Sequence, residues 1–118
     1  MDRSEQNELP RNTRRYQRYE IDSELIAAML GTERRELRGR ALNINEGGIG
    51  GVFAKEIDVG ISVNLQFSVP VVTSPVRVHG VVRNRTGYRY GFEFVDLTQE
   101  QRETISRTCK TLGLFNRA

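Results

Sequence analysis

The chain of 118 residues has one cysteine, Cys109, and one histidine, His79. A single cysteine cannot build an internal disulfide framework, which points to a reducing, cytoplasmic setting. One histidine without a second His or Cys cannot assemble a metal set. His79 therefore reads as a surface or rim residue on a strand. No apolar run approaches the roughly 20 residues that span a bilayer. The polar start, Met1 to Pro10, has no apolar segment of the kind a secretory signal needs. Lysine is scarce as well: 16 of the 18 basic residues are Arg and only Lys55 and Lys110 are Lys. Arginine presents a planar fork of donors that suits phosphates and the O6/N7 edge of guanine.

What is present describes one soluble globular domain, with 37% hydrophobic and 28% charged residues and a formal net charge of +3. Residues 1–10 read as a disordered tail. Residues 11–19 hold four arginines, no acid, and two tyrosines, Tyr16 and Tyr19. This is the densest positive stretch of the chain, and it is expected to be a mobile arm. From Glu20 the pattern turns to strands: over the whole chain Val and Ile together number 18 against nine Leu and five Ala, which favours sheet. The patterns predict strands over 21–30, 36–43, 49–54, 61–69, 76–84 and 88–95. Ile61, Val63, Leu65, Phe67 and Val69 share one face of their strand, as Tyr90, Phe92 and Phe94 do of theirs. Thr86-Gly87 reads as the turn between the last two strands.

The period then changes. Thr98 and Gln101 have the spacing of a capping box. Ile105, Cys109 and Leu112 recur at helical spacing, and Gly113 is placed to stop the helix. The expected architecture is six antiparallel strands, about residues 20–96, forming a small barrel closed by a helix over about 98–112.

Motifs for catalysis are missing. Cys109 lies on the helix's apolar stripe, as a buried hydrophobe would. The cluster Gly47-Gly48-Ile49-Gly50-Gly51 lacks the Lys-Ser/Thr of a phosphate-binding P-loop. A strand follows it, where a dinucleotide fingerprint needs a helix. The cluster reads as a hairpin turn needing positive φ, or as a place where backbone approaches a ligand closely.

Two segments taken together say more. Arg14-x-x-x-Arg18 stands just before the first strand, and Asn43-x-Asn45-x-x-Gly48 ends one strand and enters the next. Here the sequence resembles the PilZ domain family, whose signatures are RxxxR and [D/N]xSxxG in this order. The resemblance extends over residues 11–112 and includes the ending Tyr90-Gly91-Phe92-Glu93-Phe94. It implies a six-stranded β-barrel that binds the bacterial second messenger cyclic di-GMP without catalysis, needs no cofactor, and passes the signal to a partner protein. The implied ligand contacts are Arg14 and Arg18 on phosphates or guanine, Asn43 on a guanine edge, and Gly48, where the backbone comes near. Arg15 is a second-tier contact. Arg83 stands where many members carry an aromatic or basic residue near a base.

The chain departs from the family pattern at Asn45, where Ser is usual. The larger amide is expected to crowd the pocket. Asn43 in the Asp position keeps hydrogen bonding but gives up a charge-assisted bond. A PilZ-like protein-interaction module without nucleotide binding is the competing reading. Nucleic-acid binding through the arm is disfavoured by five acids within residues 20–36.

Overall fold

The computed structural model describes residues 17–31 and 35–115. Six strands run as β1 (Tyr19–Met29), β2 (Arg35–Ile44), β3 (Gly48–Val52), β4 (Ser62–Phe67), β5 (Val76–Thr86) and β6 (Arg89–Val95), followed by helix α1 (Gln99–Phe115). The strands close into a barrel in the order β1-β2-β3-β6-β5-β4, with β4 returning to β1. Every neighbouring pair is antiparallel. The segment predicted as strand over 21–30 is strand, beginning at Tyr19 and ending at Met29.

Alternation dictates what fills the barrel. Leu25, Ala27 and Met29 of β1 point inward, as do Val63, Leu65 and Phe67 of β4, and Tyr90, Phe92 and Phe94 of β6. Phe53, 2% exposed, packs edge-on against Tyr90 and Phe92 with ring centroids 6.0 and 5.9 Å away. Phe67 stacks on Phe94. The Tyr90 hydroxyl donates to Lys55 O and accepts from Ile57 N–H, so one aromatic of β6 ties down the long loop between β3 and β4.

Helix α1 crosses the mouth where β1 and β5 begin. Ile105, Thr108, Cys109 and Leu112 face the core. The capping box forms: Gln101 N–H donates to Thr98 Oγ1 at 3.0 Å, and Thr98 N–H donates to Gln101 Oε1 at 2.8 Å. Gln101 Nε2 also donates to Arg77 O, which ties the first turn of the helix to β5. Thr108 escaped the apolar stripe read from sequence because its hydroxyl is satisfied within the helix, donating to Thr104 O.

Three local expectations are corrected. Gly113 does not stop the helix, which continues through Phe115. Its lack of a Cβ instead lets Tyr19 lie on the helix: a Cβ there would stand 3.2 Å from the Tyr19 ring. The β5–β6 turn is Gly87-Tyr88, with Gly87 at φ 63°, and Thr86 still belongs to the strand. The glycine cluster at 47–51 has no positive φ; among the described residues only Asp96, Gly60 and Gly87 do. Close approach is what requires glycine in this cluster. A Cβ on Gly48 would collide with the carbonyl oxygen of Phe92 across the β3–β6 pair.

Candidate functional site

The outer face of β2, β3, β6 and β5 carries an open groove of about 520 Å³, a size usual for a small-molecule site. Two irregularities in the sheet shape it. Between β2 and β3, Ala41 faces Gly51 but Asn43 faces Gly50, so β2 carries one residue more than its partner. Between β5 and β6, Val82 faces Phe92 but Asn84 faces Gly91, and β5 carries the extra residue. Such bulges re-aim the side chains that follow them. Ala41 and Val82 are fully buried, and strict alternation would send Asn43 and Asn84 inward beside them. The bulges turn both onto the outer face, where they line the groove.

The loop between β2 and β3 is held by Asn45. Its Oδ1 accepts from Gly47 N–H at 2.7 Å, and its own N–H donates to Gly48 O at 2.9 Å. This is an Asx-type turn. Gly47 O in turn accepts from Phe94 N–H, which docks the loop on β6. The Asn45 amide oxygen is therefore turned into the loop it stabilises, a role a serine hydroxyl can also fill. Glu46, at the tip, stands 3.4 Å from the Ser106 hydroxyl of α1.

The groove is electropositive. Arg18, Arg83 and Arg89 line it against one carboxylate, Glu93. Arg83 Nε donates to Glu93 Oε1, so part of its charge is neutralised. The Arg89 side chain has no ion-pair or hydrogen-bond partner among the described residues.

Five residues singled out from sequence therefore meet here: Arg18, Asn43, Asn45, Gly48 and Arg83. They come from the approach to β1, from β2 and its loop, from β3 and from β5. Arg14 and Arg15 lie outside the described residues. Sequence reasoning missed Asn84 and Arg89. The signal for Asn84 was a polar residue set opposite a glycine across a hairpin, and it is visible only once the bulge fixes the register.

The remaining reactive side chains lie elsewhere. His79 is exposed on β5, facing Asn64 and Val95 of its neighbours. Cys109 is buried in α1. Burial first, and Glu46 second, push its thiol up to about 12, so it is neutral at physiological pH. Among the described residues no cluster of His, Cys, Asp or Glu could hold a metal ion. No described helix is long and apolar enough to cross a membrane.

No curated protein sequence matches the chain significantly. Solved structures do, at low identity. The PilZ domain with c-di-GMP of YcgR from Escherichia coli superposes with TM-score 0.70 at 16% identity, covering 90% of this chain and 95% of that one. The Bacillus subtilis inhibitor of motility (MotI/DgrA) superposes with TM-score 0.75 at 20% identity, and this chain, covered in full, spans 58% of it. A YcgR structure in complex with c-di-GMP gives 0.72 at 16% identity, covering 87% of this chain and 47% of that one. These likenesses fix the fold as the one suggested by the alternating strands. The family model for the PilZ domain matches residues 12–110. A match over that length, on the same barrel, makes this chain a member of the PilZ domain family.

Proposed function

We propose that this protein is a non-catalytic receptor for cyclic di-GMP, acting in the bacterial cytoplasm and passing ligand binding to a partner protein. The observation that carries the reading is the convergence of Arg18, Asn43, Asn45, Gly48 and Arg83 on one electropositive groove. The ligand carries two phosphates and two guanines. Arginine forks match the phosphates or the guanine O6/N7 edge, and an asparagine amide matches a purine's donor–acceptor edge. The structures of YcgR with c-di-GMP, a protein of the same fold, support this choice of ligand. A receptor reading is also supported by the neutral, buried thiol of Cys109 and by the position of His79 outside the groove.

The test is calorimetry with cyclic di-GMP at fixed salt. The parent binds. Arg14→Ala and Arg18→Ala each weaken binding by roughly tenfold to a hundredfold, the loss expected of a charge-assisted hydrogen bond worth about 1.5–3 kcal/mol. Unchanged affinity in both variants overturns the assignment. A parent that binds no nucleotide leaves the interaction module, in which Asn at both the Asp and the Ser positions marks drift away from ligand binding.

A further inference from the structure

The register across the groove has a symmetry that the two family signatures do not contain. Asn43 of β2 pairs with Gly50 of β3, Gly50 pairs with Gly91 of β6, and Gly91 pairs with Asn84 of β5. One row across four strands therefore reads Asn-Gly-Gly-Asn. Both asparagines directly follow a bulge. Both lean the same way, inward along the row. A Cβ on Gly50 would stand 2.9 Å from Asn43 Oδ1, and a Cβ on Gly91 would stand 2.6 Å from Asn84 Oδ1. Each amide occupies the space its facing glycine leaves empty. Gly50 and Gly91 are paired on adjacent strands, about 4.8 Å apart, so the two amides lean toward one another from opposite sides of the groove. Neither side chain has a hydrogen-bond partner among the described residues, and they are not bonded to each other.

We infer that Asn84 is a second base-reading residue, which works as a pair with Asn43 and is held in place by the absence of a side chain at Gly91. An amide offers one acceptor and two donors. A purine edge offers a run of alternating donors and acceptors, and two adjacent amides can engage more of it than one. The bulge before Asn84 has the purpose its twin has before Asn43: it lifts a polar side chain from the core side to the ligand side. This inference rests on the cyclic di-GMP reading and extends it to a residue outside both signatures.

Gly91 supplies the decisive variant. The atoms nearest a methyl at 91 are the far end of the Asn84 side chain, which is flexible, so the fold is expected to tolerate it while the amide is pushed aside. Cyclic di-GMP affinity is measured by calorimetry for the parent, Asn84→Ala, Gly91→Ala and the double variant, with thermal unfolding recorded for each. Asn84→Ala is expected to weaken binding about tenfold. Gly91→Ala is expected to do the same, and the double variant is expected to be no worse than either single one. Unfolding midpoints stay at the parent's value. Parental affinity in Asn84→Ala overturns the inference. So does a double variant whose loss is the product of the single losses, because Gly91 would then act on the ligand independently of Asn84. Arg18→Ala separates the two levels of the argument. If Arg18→Ala weakens binding and Asn84→Ala does not, only the role of Asn84 fails; if the parent itself does not bind, the receptor reading fails and this inference with it.

Discussion

The basic groove and a second depression on the outside of the barrel differ in what their polar groups are already doing. The groove over β2, β3, β6 and β5, about 520 Å³, holds three arginines and one carboxylate. The other, about 500 Å³, lies beside β1 and is lined by Glu20, Asp22 and Glu24 with no arginine. On the acidic side two of the three carboxylates, Asp22 and Glu24, are engaged across the β1–β2 pair. Arg40 donates to Asp22 Oδ1 from Nε at 2.9 Å and Nη2 at 2.6 Å, and Arg38 bonds Glu24 at 3.0 Å. In the basic groove Asn43, Asn84 and Arg89 have no such partner among the described residues. Strand β2 supplies both regions. Before the bulge it carries the ion-pairing arginines Arg38 and Arg40, and past the bulge it carries Asn43. The arginine richness of the sequence thus has two separate uses. What distinguishes the two depressions is unspent capacity: the side chains of Asn43, Asn84 and Arg89 are without a partner among the described residues, whereas Asp22 and Glu24 are already paired.

The largest effect expected beyond the arginine variants is at Asn43. Asn43→Ala should weaken cyclic di-GMP about tenfold, and by the same factor from low to high salt, when titrated calorimetrically across a salt series. A nucleic-acid ligand would behave otherwise, with affinity falling steeply as salt rises and indifferent to Asn43. A matching Arg40→Ala variant should leave nucleotide affinity unchanged. If Arg40→Ala costs as much as Asn43→Ala, the contrast between the two regions is wrong.

Asn45 comes next. Beside the crowding of the ligand expected of its larger amide, it has a role in the turn, through Gly47 N–H. Asn45→Ala should lose that bond and about 0.5–1.5 kcal/mol of stability in chemical unfolding. Asn45→Ser keeps an acceptor for the same N–H and should match the parent in stability, with cyclic di-GMP binding at least as tight. A serine form as unstable as the alanine form would show that the turn does not depend on this bond.

The smallest effect belongs to the ion pairs. Arg40 and Asp22 are 53% and 83% exposed at their side chains, and solvent-exposed pairs contribute about 0.2–1 kcal/mol. A double-mutant cycle on Asp22 and Arg40, read by urea unfolding, should give a coupling within that range that shrinks with added salt. A larger, salt-insensitive coupling would make this face a structural element on a par with the core.

Most of the barrel was legible in the sequence because alternation is a local signal. Ile61 through Val69, and Tyr90 through Phe94, declare their inward faces without knowledge of any partner. The capping box at Thr98 and Gln101 is equally local. The groove was legible where a family signature marks it, at Arg18, Asn43, Asn45 and Gly48, and at Arg83 by position. Asn84 and Arg89 were not legible. A bulge adds one residue to one strand of a pair, and alternation alone then puts Asn84 on the same side as buried Val82. Only the pairing partner reveals the shift of phase. Gly113 and the 47–51 cluster failed for a related reason. Sequence suggests a glycine's conformational freedom, whereas these positions use its small size against a neighbour far away in the chain: Tyr19 beside Gly113, the Phe92 carbonyl beside Gly48.

Closure of the barrel has a consequence for how another protein can recognise this one. Each of the six strands is flanked on both sides, β1 by β2 and β4, and so on around the ring. Recognition by strand addition needs an open sheet edge with unpaired backbone groups, as does edge-to-edge aggregation. Only short stretches offer one, among them residues 35–39 of β2 and 19–24 of β1, which have a strand neighbour on one side alone. A partner is therefore left chiefly with side chains to engage, on helix α1, on the loops or at the rim of the groove. Its specificity is then written in residues that can be substituted singly, without disturbing the backbone that positions the asparagine row.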